Sequence, residues 1–194
     1  MRFIADNPDV PVVQMDSVIG NKSGKVLLTM FFQNSNLLLA FLRDHNTARS
    51  VLDVFNDRYA MFGRKTYCRL FPVILTDRGS EFSNPVPIEQ DENDELRSLV
   101  FYCNPSAPYQ KVGIEVAHEL VRRVLPKGKS FDDLQQEDID LMLSHINSYK
   151  RGKLNSRSAY QLFSFIYGDD ILPKLNIREI EANDIILSPK LLKK

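Results

Sequence analysis

The sequence predicts an α/β fold: a mixed five-stranded sheet, three antiparallel strands followed by parallel ones, flanked by helices. Three features carry this expectation. Apolar runs of strand length, joined by short polar turns, fill the first third of the chain. A helical repeat of apolar residues follows them. Two more strand-like runs then appear after crossovers, and helical patterns occupy most of the remainder.

Along the first strand, read over residues 10–16, Val10, Val12, Gln14 and Asp16 share one face and Pro11, Val13 and Met15 the other. Gly20-Asn21-Lys22-Ser23-Gly24 forms a turn into residues 25–33, whose almost continuous apolarity suits a strand covered on both sides. Gln33-Asn34-Ser35-Asn36 turns the chain into a third strand over 36–43, completing an antiparallel meander. Thr47 caps a helix carrying Val51, Leu52, Phe55, Tyr59 and Phe62 at helical spacing, with Gly63 as its stop. The fourth strand, 70–76, ends in the tight turn Asp77-Arg78-Gly79. Pro85, Pro87 and the acidic run 89–95 form an exposed excursion. The fifth strand spans 98–103 and breaks at Asn104-Pro105-Ser106-Ala107-Pro108. Helices are expected over 109–125, closed by Pro126-Lys127-Gly128; from Ser130, capped with Asp133, to Asn147; and over 158–167, stopped by Gly168.

Composition bounds the function. With 43% hydrophobic and 26% charged residues in 194, the chain is neither disordered nor collagen-like. Its 25 Lys+Arg cancel its 25 Asp+Glu, which excludes coating nucleic acid by bulk charge but accommodates a local basic groove. Cys68 and Cys103 make neither a disulfide framework nor a CxxC pair, so a reducing, cytosolic setting is expected. No apolar run approaches the roughly 20 residues that cross a bilayer. The N-terminus has no signal-peptide pattern, and no membrane partner is expected.

Sites in such sheets lie beyond strand ends, which directs attention to Asp16 and Asp77. On the helix after Pro108, Lys111, Glu115, His118 and Arg122 fall within a stripe about 60° wide at the helical 100° per residue. If this helix docks beside the first and fourth strands, Glu115 joins Asp16 and Asp77 in a three-carboxylate cluster. Clustered carboxylates need cations, and oxygen ligands favour Mg²⁺ or Mn²⁺. Two such ions about 3.5–4 Å apart support phosphodiester chemistry, with Lys111 and Arg122 holding phosphates. The plainer reading makes each Asp a turn residue, Glu115 an i,i+4 partner of Lys111, His118 a surface or phosphate contact, and the acidic run a solvated loop.

Thr76-Asp77-Arg78-Gly79-Ser80-Glu81-Phe82 resembles the T-D-N-G-S-E-F segment of integrase-core transposases. Pro108-Tyr109-Gln110-Lys111-Val112-Gly113-Ile114-Glu115, with Leu120-Val121-Arg122 and Leu125-Pro126-Lys127-Gly128, resembles their glutamate-bearing helix. Val13-Gln14-Met15-Asp16-Ser17-Val18-Ile19-Gly20 and Lys25-Val26-Leu27-Leu28-Thr29 look like their first catalytic strand and its hairpin partner. The resemblance is to the DDE transposase and retroviral integrase superfamily, nearest the bacterial insertion-sequence-thirty family, and runs from about Val10 to Phe163.

That resemblance implies a ribonuclease-H-like fold and metal-dependent DNA cleavage and strand transfer. The implied triad is Asp16, Asp77 and Glu115, with 60 and 37 residues between successive members, holding two Mg²⁺ or Mn²⁺ ions. Gln110, Lys111, His118, Arg122 and Lys127 would contact DNA. Two departures stand out: Arg78 replaces the family's Asn, and Ile114, Val116 and His118 replace the Asn-rich surroundings of its Glu. Arg78 keeps a second reading in play, a catalytically silent DNA-binding or assembly module; a third, a simple nuclease of the same fold, is disfavoured by the blocks around Asp77 and Glu115. The resemblance further implies DNA and a homo-oligomer as partners and action in a bacterial cytoplasm at the nucleoid. It also implies a catalytic core excised or encoded apart from an N-terminal DNA-reading region. Residues 1–167 are read as the core and 168–194 as a tail packing on it or on a partner.

Overall fold

A computed structural model of the chain describes residues 2–21, 24–104 and 107–192. Lys22 and Ser23 of the expected first turn, and Pro105 and Ser106 of the expected strand break, lie outside them. In chain order the main elements are α1 (Arg2–Asp6), β1 (Val12–Ile19), β2 (Val26–Phe32), β3 (Leu37–Arg43), α2 (Ala48–Leu70), β4 (Val73–Thr76), α3 (Val86–Glu89) and β5 (Leu99–Tyr102). There follow α4 (Val112–Val124), α5 (Gln136–Ser148), α6 (Ala159–Tyr167) and α7 (Ile171–Lys174). The five strands form one sheet in the order β3-β2-β1-β4-β5, antiparallel among β1, β2 and β3 and parallel from β1 through β4 to β5. This is the mixed sheet expected from the sequence.

The apolar run of β2 is buried at every position, as a strand covered on both faces requires. On one face Phe32 meets Phe71 and Phe163, and Phe55 and Tyr67 pack on Phe71, so α2 and α6 share an aromatic core with the sheet. On the other, α4 lies over β1 and β2. A smaller apolar group, Val12, Val73, Leu75 and Cys103, is flanked by Ile4 and Phe101, and Phe3 of α1 stacks on Phe101.

The free edge of β3 is blunted from α5. Asn147 accepts from Leu38 N at 2.9 Å and donates to Leu38 O at 2.8 Å, while Gln136 accepts from Leu42 N and donates to Ala40 O. Two side-chain amides thus stand in for a neighbouring strand, which protects an edge from pairing with another chain.

Four boundaries differ from expectation. β1 runs past Asp16 because its antiparallel pairing with β2 continues to Ile19↔Val26, whereas its parallel pairing with β4 stops at Gln14↔Leu75. Asp16 is therefore beyond the end of the β1/β4 pairing without ending the strand. Gly63 does break α2, at φ 69°, but the helix resumes because Tyr67 and Leu70 are buried at helical spacing, which delays β4 to Val73. Residues 130–134 are not helical: Phe131 is fully buried and Asp132 accepts from Lys25 N, so α5 starts later with a capping box between Gln135 and Asp138. Residues 108–111 form a 3₁₀ turn, and α4 begins only at Val112.

The acidic excursion is tied to the fold at three residues, Glu89, Asp91 and Glu95, the last pairing with Arg64 at 2.9 Å. Glu89 accepts from Val100 N, and Asp91 accepts from Tyr59 Oη and pairs with Arg64. In the tail, Ile171, Leu172, Leu175 and Ile177 are buried in the main core. His145 Nδ1 accepts from Ile186 N at 3.1 Å.

Candidate active site

Gln14 fixes where α4 sits. Its side chain, 2% exposed, accepts from Ile114 N at 2.7 Å and donates to Gln110 O at 3.1 Å, tying β1 to the first turn of the helix. One of the helix's orphan N–H groups is thereby satisfied by a strand. Close approach needs Gly113: a β-carbon there would lie 2.4 Å from Phe31 Cε1 and 3.0 Å from Gln14 Oε1.

This docking brings Lys111 to the two aspartates. Its Nζ lies 3.2 Å from Asp16 Oδ2, 2.9 Å from Asp77 Oδ2 and 3.4 Å from Met15 O. The other carboxylate oxygens are held by backbone: Ser17 N donates to Asp16 Oδ1 at 2.8 Å and Gly79 N to Asp77 Oδ1 at 3.0 Å. Each carboxylate is thus oriented by one oxygen and aimed at the ammonium by the other. Burial disfavours the Lys111 charge, but Asp16 and Asp77 outweigh it and raise its pKa above the ordinary lysine value.

The expected site residues divide accordingly. Asp16, Asp77 and Lys111 converge. Lys111 leaves the exposed stripe assigned to it, because the 3₁₀ turn points it inward, and it pairs with the aspartates rather than with Glu115. Glu115 is exposed in the first turn of α4, and among the described residues no group of three or more Asp, Glu, His or Cys is placed to hold a metal ion. Glu115, His118 and Arg122 line an open cleft of about 590 Å³ with Glu119, Arg123 and Lys127. Gln110 is engaged locally, its Oε1 accepting from Asn104 N at 2.8 Å.

His118 is half-buried against β2. Thr29 Oγ1 donates to Asp16 O at 2.9 Å and so accepts from His118 Nε2 at 2.9 Å, which assigns the ring proton to Nε2. Burial lowers the His118 pKa, opposed by Asp16 and assisted by Lys111 and Arg122. Arg122 donates to Ile19 O at 3.0 Å. Arg78, the departure beside Asp77, is exposed and lies over the Tyr102 ring, 5.9 Å from its centroid, while Asp77 pairs with Lys111.

The sequence reading passed over a second carboxylate in the Asp77 turn. A β-carbon on Gly79 would lie 2.7 Å from Glu81 Oε2 and 3.2 Å from Asp77 Oδ1. Asn46 donates to Glu81 Oε1 at 3.1 Å, and Arg43 donates to Asn46 Oδ1 and to Ser17 Oγ. Arg43, Asn46 and Glu81 thus link the strand bearing Asp16 to the turn bearing Asp77. Glu81 lies inside the matched T-D-R-G-S-E-F segment, which was the available signal; nothing local marks Arg43 or Asn46. A larger cavity of about 820 Å³, between α2 and the acidic excursion, holds none of the expected site residues.

Two carboxylate oxygens and a carbonyl focused on one cation are a donor set that suits a hard divalent ion, which commonly binds through one or two carboxylates. The residues present therefore fit such an ion between Asp16 and Asp77.

No family model matches the chain. It is 29% identical over 151 residues, 78% of its length, to the ORF3 protein of Spiroplasma virus SpV1-R8A2 B, provisionally named an integrase. It is 32% identical over 76 residues, 38% of its length, to the transposase for insertion sequence element IS1086 of Cupriavidus metallidurans. With the transposase for IS4351 of Bacteroides fragilis it shares 23% identity over 155 residues, 79% of its length. The chain spans 45%, 22% and 44% of these relatives, respectively, so it matches less than half of each. Among solved structures, the catalytic core domain of BIV integrase superposes with TM-score 0.54 at 22% identity, covering 80% of this chain and 92% of that one. A chain of the simian T-cell lymphotropic virus intasome gives TM-score 0.56 at 16% identity, covering 79% of this chain and 54% of that one. The fold is that of a ribonuclease-H-like integrase core. No helix among the described residues is long and apolar enough to cross a membrane.

Proposed function

We propose that this chain, a member of the integrase and insertion-sequence transposase superfamily, is a catalytic core for metal-dependent cleavage and joining of DNA strands. The observation that carries the reading is the convergence of Asp16 and Asp77 on one cation, in two segments that resemble the superfamily's motifs. Asp16 and Asp77 would hold Mg²⁺ or Mn²⁺ through the oxygens that now face Lys111. Glu115, one helical turn beyond Lys111, would complete the ligand set, and a second ion would require it to turn in from the cleft. When bound, the ions supply activation of the attacking water or 3′-hydroxyl and stabilisation of the leaving oxygen.

The protein's own contribution is orientation. Ser17 N and Gly79 N fix the carboxylate planes, and the Arg43–Asn46–Glu81 linkage holds the two aspartate segments together. Arg122, Arg123 and Lys127 along the cleft would hold DNA phosphates, with His118 beside them; Gln110, outside that cleft, would contact DNA only on release from Asn104 N. Work on element ends and target DNA, as an oligomer in a bacterial cytoplasm, belongs to the same reading.

The test is Mn²⁺-dependent nicking and joining of duplex DNA bearing the element end, by the wild type, Asp77→Asn and Glu115→Gln. Loss of both activities in the two variants, with DNA binding retained, is the expected result. Undiminished activity in either variant removes that residue from the site. Lys111 between the aspartates also favours a second reading, a catalytically silent DNA-binding module. That reading expects salt-sensitive DNA binding with no Mn²⁺-dependent cleavage by the wild type.

A further inference from the structure

Lys111 presents an unusual balance. An ammonium has three N–H donors, and the pocket offers three acceptors: Asp16 Oδ2, Asp77 Oδ2 and Met15 O. Lys111 is 6% exposed as a residue, so the pocket is filled, and one of its two carboxylate charges is offset by the chain itself. Two carboxylates facing one another without a cation would repel, and here a shared ammonium offsets that repulsion before any ion arrives, leaving the site with a net single negative charge.

We infer that Lys111 is a built-in counter-cation of the aspartate pair: it occupies the position of a divalent ion, and the ion and the ammonium exclude one another. This rests on reading Asp16 and Asp77 as metal ligands. The exclusion is both steric and electrostatic. The same two oxygens cannot close around an ion while an amine lies 2.9 and 3.2 Å from them, and a dication beside an ammonium is strongly repelled. Metal binding therefore requires the Lys111 side chain to swing out of the pocket.

Outside, its charge needs a new partner. The cleft along α4 is where a DNA phosphate would supply one. Metal uptake and phosphate binding become linked, each favouring the other by the same factor. Lys111 then keeps the empty site closed and makes the bound site responsive to DNA.

The probe is Mn²⁺ alone, with free ion counted by electron paramagnetic resonance, on the full chain and on Lys111→Met. The variant keeps a side chain of similar length without the charge, and is expected to bind Mn²⁺ more tightly by a factor on the order of ten. Equal or weaker binding by the variant overturns the counter-cation role and leaves the metal-site reading standing. No Mn²⁺ binding by either protein removes the metal-site reading, and this inference with it.

Because Lys111→Met could fail to fold, a second measurement uses the unaltered chain. Acylation of lysine amines followed by peptide mass spectrometry is expected to spare Lys111 without metal, while the exposed Lys127 and Lys129 react. Saturating Mn²⁺ is expected to raise labelling of Lys111 several-fold and to leave Lys129 unchanged. Lys111 labelling that does not rise with bound Mn²⁺ means that the amine stays in place, and the inference fails.

Discussion

Replacing Gln14 with Met tests how the site is assembled. The two side chains are similar in size, so the change removes hydrogen bonding with little loss of volume. Gln14 makes two bonds to the segment that carries Lys111 and Glu115, at 2.7 Å from Ile114 N and 3.1 Å to Gln110 O. Ile114 N is buried beneath the helix, so losing its acceptor leaves an unsatisfied donor at about 1–3 kcal/mol, and the more accessible Gln110 carbonyl adds about 1 kcal/mol. The total is about 2–4 kcal/mol, which for a chain of this size lowers Tm by roughly 5–15 °C. Thermal melting by circular dichroism gives the loss. Hydrogen exchange at the Ile114 amide locates it, because this amide is expected to lose protection before the core of β2. A loss below about 1 kcal/mol with unchanged protection at Ile114 would refute the claim that Gln14 docks α4.

Other outcomes follow from equally local observations. Gly113→Ala places a methyl group against Phe31 and is expected to cost about 1–3 kcal/mol by overpacking, measured by denaturant unfolding; a neutral effect would mean that α4 shifts freely. Asn147→Leu unpairs Leu38 N and O at the β3 edge and is expected to cost about 2–4 kcal/mol. The same variant should raise self-association in light scattering, since the edge loses its cover. Burial lowers the His145 pKa against the pull of Asp184, so the unfolded chain protonates first as pH falls through about 6.5. The stability contributed by neutral His145 is present above that pH and is lost down to the folded-state pKa. Tm is therefore expected to fall between about pH 7.5 and 5.5 more steeply in the wild type than in His145→Gln, and equal slopes would clear His145 of the effect.

Much of this was legible in the residues themselves. Period-two alternation and the continuous apolar run of residues 25–33 implied the antiparallel hairpins. Asp16 and Asp77 could be singled out because each closes a strand-length run of the sequence. These properties depend on nearest neighbours along the chain, and local physics decides them. The break at Gly63 was equally visible, but not the return to helix, because that depends on Tyr67 and Leu70 finding the aromatic core.

Lys111 marks the boundary between the two kinds of knowledge. Helical spacing put it on a solvent stripe with Glu115, a fair reading of isolated periodicity. Only the docked structure turns it inward, because Gln14 and Gly113 draw the start of α4 onto β1 and a 3₁₀ turn there rotates the lysine toward Asp16 and Asp77. The sequence alone determined the strand pattern, the two aspartates and the motif resemblance, since each is a property of short segments. Tertiary structure decided which cation meets those aspartates and left Glu115 in the open cleft. Those outcomes depend on contacts between residues about 30 to 100 positions apart, where the cost of burying a charge is met only by partners the fold supplies.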